Sequence, residues 1–233
     1  MTERALQASD GRARAATVNP SVDVRGHRLA TPDTRLFGRK REKARVVRLL
    51  ADHPVVTISG VTGIGKTRLV TEVVAAVGDG FDEGVWIVNL TSVDEDDLVA
   101  ETVAAALGLS GSGGQPAHDA IATGVGGRRL LLVLDGCDDV ESAASSLVGH
   151  LVRACPELRV LAASINPLAI DGQRGCRLGP LASPAPDVRS TSRIATFDAV
   201  KLFVERATDA DPSFALTSRN ARSVAALCRA VDG

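Results

Sequence analysis

The sequence predicts an α/β protein built on a mostly parallel sheet, and three observations carry that expectation. Short β-branched or leucine-rich runs alternate along the chain with stretches of helical period. One of these runs, Leu130-Leu131-Leu132-Val133-Leu134, is apolar at every position, as a parallel strand covered on both faces requires. Between another strand pattern and a helix pattern stands GVTGIGKT, residues 60–67, whose three glycines suit neither element.

Taken in order, Val55-Val56-Thr57-Ile58-Ser59 reads as a buried strand closed by Gly60. Leu69, Val70, Val73, Val74 and Val77 then recur at three- and four-residue spacing up to Gly78, a helix with one apolar face and a glycine stop. Residues 85–90 (VWIVNL) form the second strand pattern. Asp96 to Leu107 reads as a helix ended by Gly108, with Ser92 and Glu95 spaced as a capping box and Asp94 to Asp97 suited to the positive end of its dipole. A surface loop, SGSGGQP at 110–116, leads to the strand at 130–134 and Asp135. Glu141 to Ala154 is a helix stopped by Pro156, and residues 158–163 (LRVLAA) are the next strand. A proline-rich connection, GPLASPAP at 179–186, precedes two helical stretches, Phe197 to Ala207 and one starting near Thr217. Val200, Phe203 and Val204 on the first, with Val224, Leu227, Cys228 and Val231 on the second, predict apolar faces that need a cover.

Strand, glycine loop and helix in that order give GVTGIGKT a mechanism. Gly60, Gly63 and Gly65 let the backbone turn and present N–H groups at a helix N-terminus, where an anionic phosphate is stabilised. The pattern G-x-x-x-x-G-K-[ST] then assigns Lys66 to the β- and γ-phosphates and the Thr67 hydroxyl to Mg²⁺. Asp135, at the carboxyl tip of an apolar strand, falls on the sheet edge where ligands bind and is placed to orient water on Mg²⁺.

Composition narrows the classes further. With 233 residues, 45% hydrophobic and 24% charged, the chain is long enough for one α/β domain plus an appendage. No apolar run has membrane-spanning length, and the N-terminus lacks a signal-peptide core, which predicts a cytoplasmic protein. Cys137, Cys155, Cys176 and Cys228 form no C-x-x-C pair, so neither a zinc knuckle nor a disulfide framework is expected. The net charge is only −1, but residues 1–48 carry 12 Lys or Arg against 5 acids. Aromatic residues for base stacking are missing there, so a solvated leader is expected, and direct DNA binding is not.

Five blocks carry a family resemblance: LFGRKRE at 36–42, GVTGIGKT at 60–67, LLLVLDGCDD at 130–139, LRVLAASINPL at 158–168 and AVKLFVERA at 199–207. In order and spacing they resemble the nucleotide-binding module of STAND-class P-loop NTPases, an AAA+-like group related to NB-ARC domains and found in bacterial LuxR- and SARP-type transcriptional regulators. The resemblance implies a three-layer sandwich with a five-stranded sheet, in which the strand at 158–163 lies between the Walker A and Walker B strands. It implies a leader over residues 1–33, a nucleotide-binding domain over 34–182 and the start of a helical lid over 183–233. Phe37, Gly38 and Arg39 would border the adenine. Gly60, Val61, Thr62, Gly63, Ile64, Gly65, Lys66, Thr67 and Arg68 would hold ATP or ADP with Mg²⁺, the metal on Thr67 and, through water, on Asp135. Lys66, Asp135 and Asp138 would be the catalytic set.

Three departures qualify these expectations. Relatives commonly have Asp-Asn-Cys-Glu where this chain has Asp135-Gly136-Cys137-Asp138, so the last acid is kept but shortened. Their Thr-Ser-Arg after the next strand, with a γ-phosphate-sensing arginine, is Ala163-Ser164-Ile165 here. The sequence ends at Gly233, before the Leu-Pro-Leu and winged-helix region of relatives, which predicts a partial lid open to self-association or protein partners. The expected function is an ATP/ADP switch module with weak hydrolysis. A scaffold without nucleotide turnover is the alternative, although it would not need Lys66, Thr67 and Asp135, and a phosphotransferase would need an acceptor motif that does not stand out.

Overall fold

The computed structural model describes residues 35–109 and 114–232, so the basic leader, most of the SGSGGQP loop and Gly233 lie outside the described residues. The sheet is five-stranded and wholly parallel, in the order β2-β3-β4-β1-β5. Its strands are β1 (Val55–Ser59), β2 (Val85–Asn89), β3 (Leu131–Asp135), β4 (Arg159–Ser164) and β5 (Arg174–Arg177). As the resemblance implied, β4 lies between β1 and β3.

Strand alternation divides the core into two layers. Val56 and Ile58 of β1, Leu131 and Val133 of β3, and Leu161 and Ala163 of β4 bury against α1 (Lys40–Asp52) and α2 (Lys66–Val77). Val55, Leu132, Leu134, Val160 and Ala162 point to the other face and pack with α3 (Leu98–Ala106), α4 (Ala117–Val125) and α5 (Glu141–Ala154). Both faces are covered, which is why β3 tolerates no polar residue before Asp135.

Beyond β5 the chain forms α6 (Thr191–Ile194), α7 (Asp198–Ala210) and α8 (Ala221–Ala230) around a third, smaller cluster. Here the expectation of exposed faces is corrected. Ile194, Val200, Val224 and Cys228 are buried, and Phe203 meets Phe214 edge-on at 6.0 Å. The two helices cover one another, and Leu227 of α8 and Val231 just beyond it stay exposed.

One further reading changes. The capping box at Ser92 does not form: α3 begins at Leu98 with Asp97 as N-cap and without a side-chain cap. Residues 90–97 instead turn by backbone bonds, Val93 N to Leu90 O and Leu98 N to Glu95 O, because Leu90 and Val93 are drawn into the core. Arg174 opens β5, opposite Val56. Helices α1, α4 and α6 also go beyond the sequence reading.

Candidate functional site

The glycine loop runs from the carboxyl end of β1 to the first turn of α2. Gly63 and Gly65 have φ of +82° and +95°, and a Cβ at either would meet nothing within 4 Å. What excludes other residues there is backbone conformation, not crowding. Gly65 is the N-cap of α2, and a glycine has no side chain with which to claim the first-turn amides. At the start of the loop the Gly60 N–H donates to Ser164 O and Ile165 O, both at 3.2 Å, tying the loop to the end of β4.

Lys66 is 9% exposed, and its Nζ donates to Gly60 O at 2.8 Å and Val61 O at 3.4 Å. An ammonium has three protons, so these bonds leave one donor for an anion in the loop. Thr67 Oγ1 donates to Asp135 Oδ2 at 2.8 Å, bringing together the residues that the sequence assigns to Mg²⁺. Asp135 ends β3 opposite Ala163 of β4 and Asn89 of β2. Burial holds its pKa above the usual carboxylate value, against the opposing pull of the Thr67 bond and the Lys66 charge.

Asp138 takes a different position from a free catalytic acid. Its Oδ1 accepts from Ser164 Oγ and from the Ile165 N–H, so it buttresses the end of β4. Between the two acids, burial pushes the Cys137 thiol up to about 12, and its Sγ donates to Leu134 O at 3.7 Å. That side chain is packing, without nucleophilic character. Ile165 stands at the carboxyl edge with its side chain 43% exposed and its carbonyl on the glycine loop, and it brings no charge there.

The segment before α1 also converges on the loop. Phe37 is half-buried under the Arg35 guanidinium, whose carbon lies 5.9 Å from the ring centroid. Gly38 (φ +65°) packs so tightly that a Cβ would lie 2.9 Å from Asp198 Cβ and Leu181 Cδ2. The Arg39 guanidinium is buried and donates to Gly179 O at 2.6 Å, Ile64 O at 3.4 Å and Glu42 Oε1 at 3.1 Å. Arg68, at the end of the loop, pairs along α2 with Glu72 Oε1 at 2.9 Å. Glu72 also binds Lys43 of α1 at 2.8 Å, and this bond above all lowers its pKa. Val61, Thr62 and Gly63 form the exposed lip, while Ile64 packs into the α1–α2 layer.

Two residues escape sequence reasoning. Ser164 is fully buried and holds Asp138, yet a serine at a strand end carries no signal of that role. Arg177 pairs in register with Ser59 at the carboxyl end of β5, which puts an exposed arginine on the ligand edge. Arg174, three residues earlier, is at the opposite end of the same strand.

Comparison with known proteins agrees with this geometry. Residues 39–148 match the NB-ARC domain family. A Mycobacterium tuberculosis protein named "Putative HTH-type transcriptional regulator" is 36% identical over 185 residues, which is 79% of this chain and 19% of that protein. The chain thus spans about a fifth of the length of that relative. Among solved structures, a signal transduction ATPase with numerous domains (STAND), with a tetratricopeptide repeat sensor, from Pyrococcus horikoshii covers 84% of this chain and 28% of its own at a TM-score of 0.51 and 19% identity. Cdc6p from Pyrobaculum aerophilum covers 81% of this chain and 54% of its own at 0.55 and 15% identity, a likeness of fold alone. No helix among the described residues is long and apolar enough to cross a membrane. The glycine loop, the strand order and the matched family together make this chain the carrier of an NB-ARC-like P-loop NTPase module.

Proposed function

We propose that the chain binds ATP and ADP with Mg²⁺ at the glycine loop and acts as a nucleotide switch of the STAND type in a bacterial transcriptional regulator, with slow hydrolysis. The observation that carries this reading is the meeting of Thr67 Oγ1 and Asp135 Oδ2 at 2.8 Å beside the Lys66 ammonium. A hydroxyl and a carboxylate are hard oxygen donors, which fits Mg²⁺ and not a thiophilic metal. Thr67 would hold the ion directly and Asp135 through water, and the bound ion would neutralise charge on the β- and γ-phosphates.

Lys66 binds and orients the phosphates with its remaining donor, and the first-turn amides of α2 supply dipolar stabilisation. Asp138, occupied by Ser164 and Ile165, acts in positioning: it fixes the end of β4 to which Gly60 is bonded. Ile165 stands where relatives place a charge sensor, and slow turnover is the expected result, because an uncharged side chain cannot stabilise a departing γ-phosphoryl. Binding is therefore the main activity.

Titration calorimetry with ATP and ADP, with and without Mg²⁺, tests this directly. Both nucleotides should bind, and Lys66→Ala should weaken ATP by at least about tenfold, about 1.4 kcal/mol. Equal affinity in the two proteins, with unchanged circular dichroism, would refute the assignment.

A further inference from the structure

On the other face of the sheet from Lys66, α4 and α5 bring His118, Asp119 and His150 together. His118 Nε2 lies 3.6 Å and His150 Nε2 3.4 Å from the same oxygen, Asp119 Oδ1. The two rings meet edge to face, with centroids 4.9 Å apart and an interplanar angle of 82°. One donor atom from each of the three residues lies within 4.8 Å of the others.

These contacts are too long for well-formed hydrogen bonds, whose N···O distances run to about 3.2 Å. The His150 Nε2 is moreover shielded from solvent and makes no hydrogen bond. An ion pair would align one imidazole N–H with the carboxylate oxygen. Here both imidazole nitrogens stand from Asp119 Oδ1 at the spacing of donors that share a centre, and all three donors lie within 4.8 Å of one another. In a tetrahedral zinc site with ligands at about 2.0–2.1 Å, neighbouring donors stand about 3.3–3.4 Å apart. The observed 3.4 and 3.6 Å are close to those edges.

We infer that His118, Asp119 and His150 form a binding site for a divalent transition-metal ion of the zinc type, bridging α4 and α5. Two imidazole nitrogens and one carboxylate oxygen suit zinc better than magnesium, and three protein ligands leave a fourth position for water. The helices are already in contact, since Cys155 Sγ, just beyond α5, donates to Ala122 O of α4 at 3.5 Å. A bound ion would add a link near the start of α4. It would not compete with nucleotide, because Lys66, Thr67 and Asp135 belong to a separate oxygen-donor site.

The test uses the whole chain stripped of metal with a chelator and titrated with zinc chloride in the absence of nucleotide. One ion per chain should bind and raise the melting temperature. His150→Ala should weaken zinc by about tenfold or more, His118→Ala with His150→Ala should abolish binding, and His53→Ala should leave it unchanged. Cobalt(II) gives a readout that does not depend on the variants folding: a nitrogen and oxygen ligand set should give visible bands without a thiolate charge-transfer band. No heat with zinc, undiminished binding by the folded double variant, or a thiolate band from cobalt would each overturn the site.

Discussion

Arg39→Ala separates a nucleotide contact from a structural clamp. The family resemblance places Arg39 beside the adenine, whereas here the residue is 6% exposed and its guanidinium is spent on Gly179 O, Ile64 O and Glu42. The 2.6 Å bond to Gly179 is a charge-assisted one, worth about 2 kcal/mol. The 3.4 Å contact to Ile64 is near the limit of a hydrogen bond, and the pair with Glu42, 27% exposed, is partly screened; together they add about 1 kcal/mol. Urea denaturation of the nucleotide-free protein should therefore show Arg39→Ala to be less stable by about 3 kcal/mol. Arg39→Lys should recover less than half of that, because one ammonium cannot reproduce the fork that spans three acceptors. A loss below about 0.5 kcal/mol, in the range of an ordinary surface substitution, would refute the clamp.

Two further substitutions address the carboxyl edge. Ile165→Arg restores a positive charge at a solvent-open position bonded to the glycine loop, and Mg²⁺-dependent ATP hydrolysis measured by phosphate release should rise by about tenfold or more; an unchanged rate in a variant that still binds ATP would sink the explanation for slow turnover. Asp135→Asn should raise the melting temperature of the nucleotide-free protein near neutral pH while weakening Mg²⁺-dependent nucleotide binding. The sign follows from burial, which raises the folded pKa of Asp135 above its unfolded value of 3.8, so ionisation costs stability above the folded pKa. That cost disappears as pH falls through the folded value toward the unfolded one. The advantage of the asparagine variant should shrink over the same interval, and an advantage that is absent or independent of pH would contradict it.

The glycine-loop half of the candidate site is legible in the sequence because its chemistry is local. Gly63, Gly65, Lys66 and Thr67 are fixed by the turn from β1 into α2, and Asp135 by the last residue of an all-apolar strand. Even Glu141 to Ala154 has its observed ends, since Pro156 and an unbroken helical period bound it. What stays hidden depends on tertiary pairing. Arg-Gly-Cys-Arg becomes β5 only because β1 has an open edge for it, and nothing in those four residues is β-forming. The Ser92 capping box fails for the converse reason: burial of Leu90 and Val93 outweighs a cap worth about 1 kcal/mol. Asp138 reads as an acid next to a Walker aspartate, and only the packing of β4 against β3 shows that Ser164 and Ile165 take up its oxygen.

The loop's own hydrogen bonds bear on how binding would be communicated. Lys66 satisfies Gly60 O and Val61 O, so a phosphate that draws the ammonium outward must loosen at least one of those carbonyls. Gly60 is held from behind by Ser164 O and Ile165 O, and a Cβ on it would lie 3.1 Å from Leu178 O, so little slack exists on that side. Leu178 N in turn donates to Ser59 O at 2.7 Å, the next residue carries the Arg39 clamp, and Leu181 and Asp198 press on Gly38. Apart from Asp198 of α7, these contacts lie along one short stretch of chain, 178–181, which enters the connection to α6, α7 and α8. If the proposed switch operates, a shift of the loop would reach the packing of Gly38 against α7 more directly than the sheet, whose strands are covered on both faces. In a nucleotide switch the difference between ATP and ADP must be expressed in such contacts, since a ligand moves an equilibrium only as far as it favours one arrangement over the other.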